Sequence, residues 1–415
     1  MSSVYEATVT APVNIAVIKY WGKRNSALIL PTNSSLSVTL SQDHLSTRTT
    51  VRASPDFSKD RLWLNGIEED VSASKRLTNS IATARRLRAD VEEKQRAQGQ
   101  QPVPLSQYSV HVCSENNFPT AAGLASSASG YAALVSALGV LFELPQSASE
   151  LSRVARVGSG SACRSLFGGF VAWEAGVAED GSDSMAVQVA PREHWPELQA
   201  LVLVASDRKK TVSSTAGMQT TVETSELFAQ RVKTVVPERM ARMKRAIAER
   251  DFATFAEITM KDSNQFHAVC LDTYPPISYM NDTSRAIAAI VHAYNEVQGR
   301  VAAAYTYDAG PNAVIYALAE DMPGLVELFT YCFPREDAIL PDAFYTNPFG
   351  VFASPSDAGR LPSDAALAQL AERVGRFSPG AVRRVIHTEV GDGPRVLPAE
   401  MSLLDHAGMP RRARE

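Results

Sequence analysis

The sequence predicts an α+β protein of two domains meeting near residue 195. The chain has 415 residues, more than one ordinary hydrophobic core encloses. Runs with period-two apolar alternation are mixed along it with runs whose apolar residues recur at three and four, the signature of strands and helices in mixed order. Near residue 197 the character also shifts, from short alternating runs to long helical stretches. These observations divide the chain into an N-terminal domain over 1–195, a C-terminal domain over 196–392 and a flexible tail over 393–415. No internal repeat is visible.

The N-terminal elements follow in order. Val4 to Val9 alternates, Pro12 breaks the run, and Ile15 to Tyr20 resumes it. Ser35 to Leu40 and Thr47 to Val51 alternate polar and apolar, which fits half-buried antiparallel strands. Asp60 to Gly66 is a strand running into an Asn-Gly turn, a hairpin signal. Ala73 to Gln98 is a charged helix ending in a polar loop. Tyr108 to Cys113 starts a second strand–helix unit that crosses a small-residue segment into the apolar helix Tyr131 to Leu141. A helix over Ala148 to Val157 and a strand over Phe170 to Glu174 complete the first half. In the second half, Leu201 to Val204 is a buried strand. Helical spacing runs through Met240, Met243 and Ile247 and on through Phe252, Phe255 and Ile258. Val301 to Tyr307 and Ala313 to Leu318 are strands around the turn Asp308 to Asn312. Residues 352–363 are a surface loop.

Hydrophobic residues make up 45% and charged residues 21% of the chain, a globular balance. A net charge of −4 leaves no general basic surface for nucleic acid, so positive charge that matters must be gathered in a site. Cys113, Cys163, Cys270 and Cys332 are scattered without a C-x-x-C pair, as expected of buried free thiols in a reducing compartment. No window approaches the ~18 uncharged apolar residues of a membrane span, and the first residues lack the pattern of a secretory signal. A soluble cytosolic protein without membrane or nucleic-acid partners is the expectation.

The segment Asn116 to Gly130 is the richest in chemistry. Its small residues let backbone approach a ligand, and Gly123 can supply a positive φ. The helix that follows offers unpaired N–H groups to an anion. The Ser126 and Ser127 hydroxyls can add bonds to phosphate or reach a metal ion bound to it. A helix entrance that merely packs tightly would have the same composition, and the lysine of a Walker loop is absent. Lys19 and Lys23 lie four apart in an apolar stretch, the spacing of one strand face, although Gly22 interrupts it. They are either a solvated pair or two charges delivered to one site. In Ser159 to Ser165, hydroxyls and backbone amides surround Arg164, which can grip a carboxylate or diphosphate bidentately or can cap a helix end. Asp308 stands where an apolar strand meets a Gly-Pro turn, as a turn former or as a reactive carboxylate.

Pro119, Gly123, Leu124, Ser126, Ser127 and Ala128 match the P-x-x-x-G-L-x-S-S-A signature of the GHMP kinase superfamily. Four further segments resemble its diphosphomevalonate decarboxylase branch: Ala11 to Lys23 leading to Leu30 to Ser35, Gly158 to Ser165, Asp207 to Met218, and Tyr305 to Ala313. They span residues 11–313 in family order. The resemblance implies an N-terminal domain like domain 2 of ribosomal protein S5 and a ferredoxin-like C-terminal domain. It implies ATP-dependent decarboxylation of mevalonate 5-diphosphate, with Mg2+ on the ATP phosphates, in a homodimer. The alternative is a GHMP-type kinase that phosphorylates a mevalonate-like hydroxyl and stops.

By this resemblance Asn116, Pro119, Ala122, Gly123, Leu124, Ala125, Ser126 and Ser127 hold ATP, with Ser127 near the γ-phosphate or its metal. Tyr20, Trp21, Gly22, Lys23, Arg76, Ser159, Gly160, Ser161, Ala162, Cys163, Arg164, Ser213 and Thr215 form the pocket for mevalonate 5-diphosphate. Asp308 is expected to accept the proton of the substrate's tertiary hydroxyl, Lys19 to hold Asp308 ionised, and Arg164 to anchor the carboxylate.

Overall fold

The computed structural model describes residues 4–118, 126–206 and 211–411. Residues 5–190, with Arg395–Leu397 added to one of them, supply two large sheets and the two-stranded pair Lys23–Asn25 and Leu30–Pro31, and residues 198–389 supply the third large sheet. The first sheet has six strands in the order Arg395–Leu397, Tyr5–Pro12, Ser46–Ser54, Ser109–Asn116, Arg61–Leu64, Ile67–Glu69. Its alternation sets two faces. Ala7, Val9, Val51, Leu62, Val110 and Val112 pack against Leu77 and Ile81 of the Lys75–Ala97 helix and Leu134 and Leu138 of the Ser126–Leu141 helix. The hairpin turn forms as expected, with Asn65 and Gly66 at φ of 48° and 82°, the backbone that a two-residue turn between twisted strands requires.

The expected flexible tail is overturned. Arg395–Leu397 pairs antiparallel with Tyr5–Pro12, and Leu403 and Leu404 are buried against Trp63 and Cys113 on the outer face of the same sheet. The Leu403 N–H donates to Thr50 Oγ1 at 2.9 Å, Arg52 donates to the Asp405 carbonyl, and His111 Nδ1 meets the Gly408 carbonyl at 2.8 Å. Composition suggested looseness because Gly, Pro and charge dominate the segment. Two consecutive leucines outweigh that, since the exposed apolar face of a sheet must be covered.

The second sheet, in the order Ala186–Ala190, Phe170–Trp173, Ser35–Thr39, Asn14–Ile18, is antiparallel throughout. Ser35–Thr39 is not half-exposed as its alternation suggests. All five residues are buried, because the polar ones have internal partners, such as Thr39 Oγ1 donating to the Phe167 carbonyl at 2.8 Å.

The third sheet runs Ala303–Tyr307, Ala313–Leu318, Leu198–Val204, Arg384–Glu389, again antiparallel. The chain passes through it as strand, helices, strand, strand, helices, strand, the split βαβ arrangement of ferredoxin-like folds. Ile15, Val38 and Phe170 of the second sheet share one continuous core with Leu201, Leu203 and Tyr316 of the third and with Met243, Phe255 and Ile258 from its helices. That shared core brings the end of Asn14–Ile18 against the Phe252–Asp272 helix and the end of Ala303–Tyr307.

Leu404→Ala should lower unfolding free energy by about 2–5 kcal/mol, read from a urea midpoint. An unchanged midpoint would mean that the C-terminal segment is loose after all.

Candidate active site

Where the second and third sheets meet, a cavity of about 470 Å3 is lined by residues from both halves of the chain. Lys19 directly follows Asn14–Ile18, and its buried Nζ donates to Asp308 Oδ1 at 2.6 Å. Burial pulls the Lys19 pKa down, against which the Asp308 carboxylate, and more weakly that of Asp262, hold its proton on. Asp308 directly follows Ala303–Tyr307. Its carbonyl oxygen accepts the Gly310 N–H at 2.7 Å, while its carboxylate pairs with Lys19. The aspartate therefore shapes the turn with backbone and keeps its side chain, 32% exposed against 3% for Lys19, for the cavity.

Lys23 reaches the same cavity by a different route from the strand spacing expected of it. Gly22 turns the chain with φ of +84°, and a Cβ there would stand 2.5 Å from the Phe228 ring, so glycine is required. Partial burial and the nearby Arg76 lower the Lys23 pKa to about 8. Arg76 itself donates from Nη2 to Thr215 Oγ1 at 2.9 Å, linking the N-terminal half to the C-terminal half at the cavity wall.

Arg164 is buried in the tight helical turn Gly160–Leu166. Its Nε donates to Asn14 Oδ1 at 3.2 Å and Ser37 Oγ at 3.0 Å, and its Nη1 to Ser35 Oγ at 2.6 Å. All three partners are neutral, and among the described residues no hydrogen bond is made by Nη2. Burial lowers the Arg164 pKa, yet guanidinium stays protonated. A buried cation held only by neutral oxygens is costly, and its remaining donors belong to a residue of the cavity wall. It is not a helix cap. Asn14, Ser35 and Ser37 were missed from sequence. The paired serines on one strand face were the available signal.

Tyr20 lies with its ring 4.6 Å from Trp173, and its buried hydroxyl at the wall has no hydrogen-bond partner among the described residues. Trp21 donates Nε1–H to Thr221 Oγ1 at 3.0 Å and meets Phe266 edge-on. Ser159, Gly160, Ser161, Ser213 and Thr215 all line the cavity. Ser213 also caps the Ser214–Thr224 helix by accepting the Ala216 N–H at 3.2 Å. Ser126 and Ser127 line it too, and Ser127 Oγ is 3.3 Å from Ser159 Oγ.

The same two serines line a second cavity of about 410 Å3, which also includes Asn116, Leu64, Asn65, Asp70 and Tyr131. It lies beside the first sheet and the start of the Ser126–Leu141 helix. Three expected residues line neither space. Gly22 is the turn just described. Ala162 packs into an apolar cluster with Ala132 and Leu166, and Cys163 packs against Val171 and Trp173. Burial pushes the Cys163 thiol up to about 12, leaving it unreactive. Ala162 and Cys163 are consecutive on the side of this tight turn that packs into the protein, so only part of the motif borders the cavity. Pro119, Ala122, Gly123, Leu124 and Ala125 lie outside the described residues, as do Asp207 to Lys210 of the third family-like segment.

Among the described residues that line the cavity, Lys19, Lys23, Arg76 and Arg164 thus surround one carboxylate, that of Asp308, in a space suited to a small polyanion. Among the described residues no group of three His, Cys, Asp or Glu could hold a metal ion, so a cation here would arrive with anionic oxygens of a ligand. The Ser126 and Ser127 hydroxyls are the oxygen donors that suit magnesium. No helix among the described residues is long and apolar enough to cross a membrane. Lysine-selective NMR should show Lys23 titrating near pH 8 and moving upward in Arg76→Ala. Titration near the ordinary lysine value of about 10.4 would contradict this picture of the site.

Comparison with known proteins is consistent along the whole chain. Residues 200–397 match the mevalonate 5-diphosphate decarboxylase C-terminal domain family, and residues 11–186 the diphosphomevalonate decarboxylase-like N-terminal domain family. Diphosphomevalonate decarboxylase of Ganoderma lucidum is 56% identical over 414 residues, covering 99% of this chain and 100% of the relative. The solved mevalonate diphosphate decarboxylase from Trypanosoma brucei superposes with a TM-score of 0.83 at 40% identity, covering 96% of this chain and 100% of that one. A structure described as MDDEF in complex with MVAPP, AMPPCP and magnesium superposes with a TM-score of 0.71 at 31% identity, covering 96% and 100%.

Proposed function

The chain belongs to the diphosphomevalonate decarboxylase family, and from that membership we propose how its cavity works. The reaction is ATP-dependent decarboxylation of mevalonate 5-diphosphate to isopentenyl diphosphate, with release of ADP, phosphate and carbon dioxide. The observation that carries the reading is the Lys19–Asp308 pair, whose carboxylate borders a cavity where the cations Lys23, Arg76 and Arg164 and several hydroxyls meet apolar residues such as Ile29, Met218 and Phe266.

The nucleoside of ATP occupies the smaller cavity beside Asn116, and its phosphates pass Ser126 and Ser127 toward the larger one. Residues Pro119 to Ala125, expected from the family signature to wrap those phosphates, belong to the same reading. Lys23, Arg76 and the hydroxyls of Ser159, Ser161, Ser213 and Thr215 take the substrate diphosphate. The free donors of Arg164 take the C1 carboxylate in a planar fork. The Tyr20 hydroxyl and the Trp21 ring close the wall around the carbon chain. A magnesium ion carried on the ATP phosphates would neutralise their charge, and the Ser127 hydroxyl would help to hold it. The AMPPCP and magnesium in the related complex support this part of the reading.

Asp308 Oδ1 is engaged by Lys19, which leaves Oδ2 for the C3 hydroxyl. An ordinary carboxylate is a weak base toward an alcohol, so the proton moves late, as the C3 oxygen bonds the γ-phosphorus and ADP departs. The original C3–O bond then breaks, its electron pair leaving with the phosphorylated oxygen as inorganic phosphate. The electrons of the C1–C2 bond fill the deficiency at C3, carbon dioxide leaves, and the C2–C3 double bond forms. The protein's contribution is placement and charge: Lys19 keeps Asp308 ionised, and Arg164 fixes the carboxylate from which carbon dioxide departs. The reading also takes the enzyme to be a cytosolic homodimer serving isoprenoid and sterol synthesis, and the chain to divide near residue 195.

Purified protein given ATP and mevalonate 5-diphosphate should release ADP, phosphate and carbon dioxide in equal amounts. ADP without carbon dioxide would make it a kinase that stops at the phosphorylated alcohol. Asp308→Ala should fold and bind ATP while kcat falls roughly 10²- to 10⁴-fold, and near-normal phosphate release would remove the base assignment. Arg164→Lys keeps charge but loses the fork, and kcat/KM should fall by at least roughly tenfold; unchanged kinetics would show that Arg164 is no bidentate anchor.

A further inference from the structure

We propose that Asp262, Ser263 and Arg231 form a positioning unit that sets the placement of Lys19 and Asp308, and so acts on the chemical step without touching substrate. The inference rests on the reading of Asp308 as proton acceptor given above. Asp262 and Ser263 are consecutive and fully buried on the Phe252–Asp272 helix. Asp262 Oδ2 accepts the backbone N–H of Lys19 at 2.8 Å. Ser263 Oγ accepts the backbone N–H of Tyr307 at 3.0 Å. These contacts fall where two strands from different sheets deliver their reactive side chains, since Lys19 follows one strand and Asp308 follows Tyr307 at the end of the other. One helical turn therefore grips both strand ends.

Arg231 completes the grip. Its Nη1 and Nη2 fork onto the Asp262 carboxylate at 2.9 Å and 3.0 Å, and Nη2 also donates to the Lys19 carbonyl at 3.1 Å. Both backbone polar groups of Lys19 are thus tied to one fully buried ion pair. Arg231 begins the π-helical turn Arg231–Val235, a widened turn of a kind found often at functional positions. Arg239 Nη1 adds a further bond to Asp262 Oδ1 at 2.9 Å. An apolar pair would fill this volume at lower cost. What the ion pair adds is a fixed direction for the Lys19 backbone, and a misplacement of even ~1 Å in a reacting group can cost roughly 10²-fold in rate.

Charge enters as well. The groups facing Lys19 are Asp308 from the turn, Asp262 and His267 from the helix, Arg164 from the opposite wall and Arg231 beneath. Asp262 helps Lys19 keep its proton against burial, and His267 is held neutral by burial, with its pKa lowered to about 4.

The experiment compares Ser263→Ala, Ser263→Thr, Asp262→Asn and Asp308→Ala under steady-state conditions with ATP and mevalonate 5-diphosphate. Ser263→Ala should lose roughly 10- to 10²-fold in kcat with each KM changed by less than about threefold, and Ser263→Thr, which keeps the hydroxyl, should recover most of it. Asp262→Asn should lose at least as much, and its alkaline limb in kcat should move to lower pH because Lys19 then gives up its proton more readily. If Asp262→Asn does not fold, the two Ser263 variants decide the matter. Wild-type kcat in Ser263→Ala, an equal loss in Ser263→Thr, or an effect confined to KM would overturn the positioning unit while an inactive Asp308→Ala left the mechanism standing. An active Asp308→Ala would instead overturn the mechanism.

Discussion

The contact on which the site depends is the charge pair between Lys19 and Asp308. Its members are 289 positions apart in sequence and come from different sheets. Holding Lys19 charged in a buried place is unfavourable by itself, and the pair exists because the surroundings compensate. The second and third sheets share one apolar core, which fixes the two strand ends relative to each other. The Asp262–Arg231 ion pair then satisfies the backbone of Lys19 where its strand stops pairing. Remove the shared core and the two side chains have no reason to meet.

A second constraint is the uneven distribution of charge. The whole chain carries −4, yet among the described residues the cavity wall concentrates Lys19, Lys23, Arg76 and Arg164 around the carboxylate of Asp308. Local excess positive charge inside a net acidic protein favours a small polyanion over an extended one such as nucleic acid. Arg164 illustrates how this is achieved. Its immediate partners are neutral oxygens of Asn14, Ser35 and Ser37, which orient the guanidinium without cancelling its charge. An acidic partner would have made the protein easier to fold and the cavity worse at binding an anion.

Much of this was legible in the sequence, and the omissions share a cause. The hairpin at Asn65-Gly66, the serines Ser126 and Ser127 at the entrance of an apolar helix, and the arginine within Ser159 to Ser165 are local patterns, and local pattern is what a sequence shows. Asp308 stood out because an acidic residue ended an apolar strand. Ser35 and Ser37, by contrast, looked like the wet face of a strand, since the arginine that buries them is more than 120 positions away. Asp262 carries no local signal for the same reason: its partners Lys19 and Arg231 are remote in sequence. The C-terminal segment was misjudged by composition, which weighed its glycines and charges above Leu403 and Leu404. The resemblance also assigned the whole run Ser159 to Arg164 to the pocket, because a motif does not separate the two sides of a tight turn, which sends Ala162 and Cys163 into apolar clusters while Ser161 and Arg164 line the cavity.

The central claim is that one buried lysine presents one aspartate to the tertiary alcohol of the substrate. A crystal structure with mevalonate 5-diphosphate and a non-hydrolysable ATP analogue tests it most directly. The account predicts Asp308 Oδ2 within about 2.6–3.2 Å of the C3 oxygen, with Oδ1 still on Lys19 Nζ and the substrate carboxylate on Arg164. A C3 hydroxyl bonded elsewhere, with Asp308 turned toward solvent and Lys19 released from it, would contradict the account.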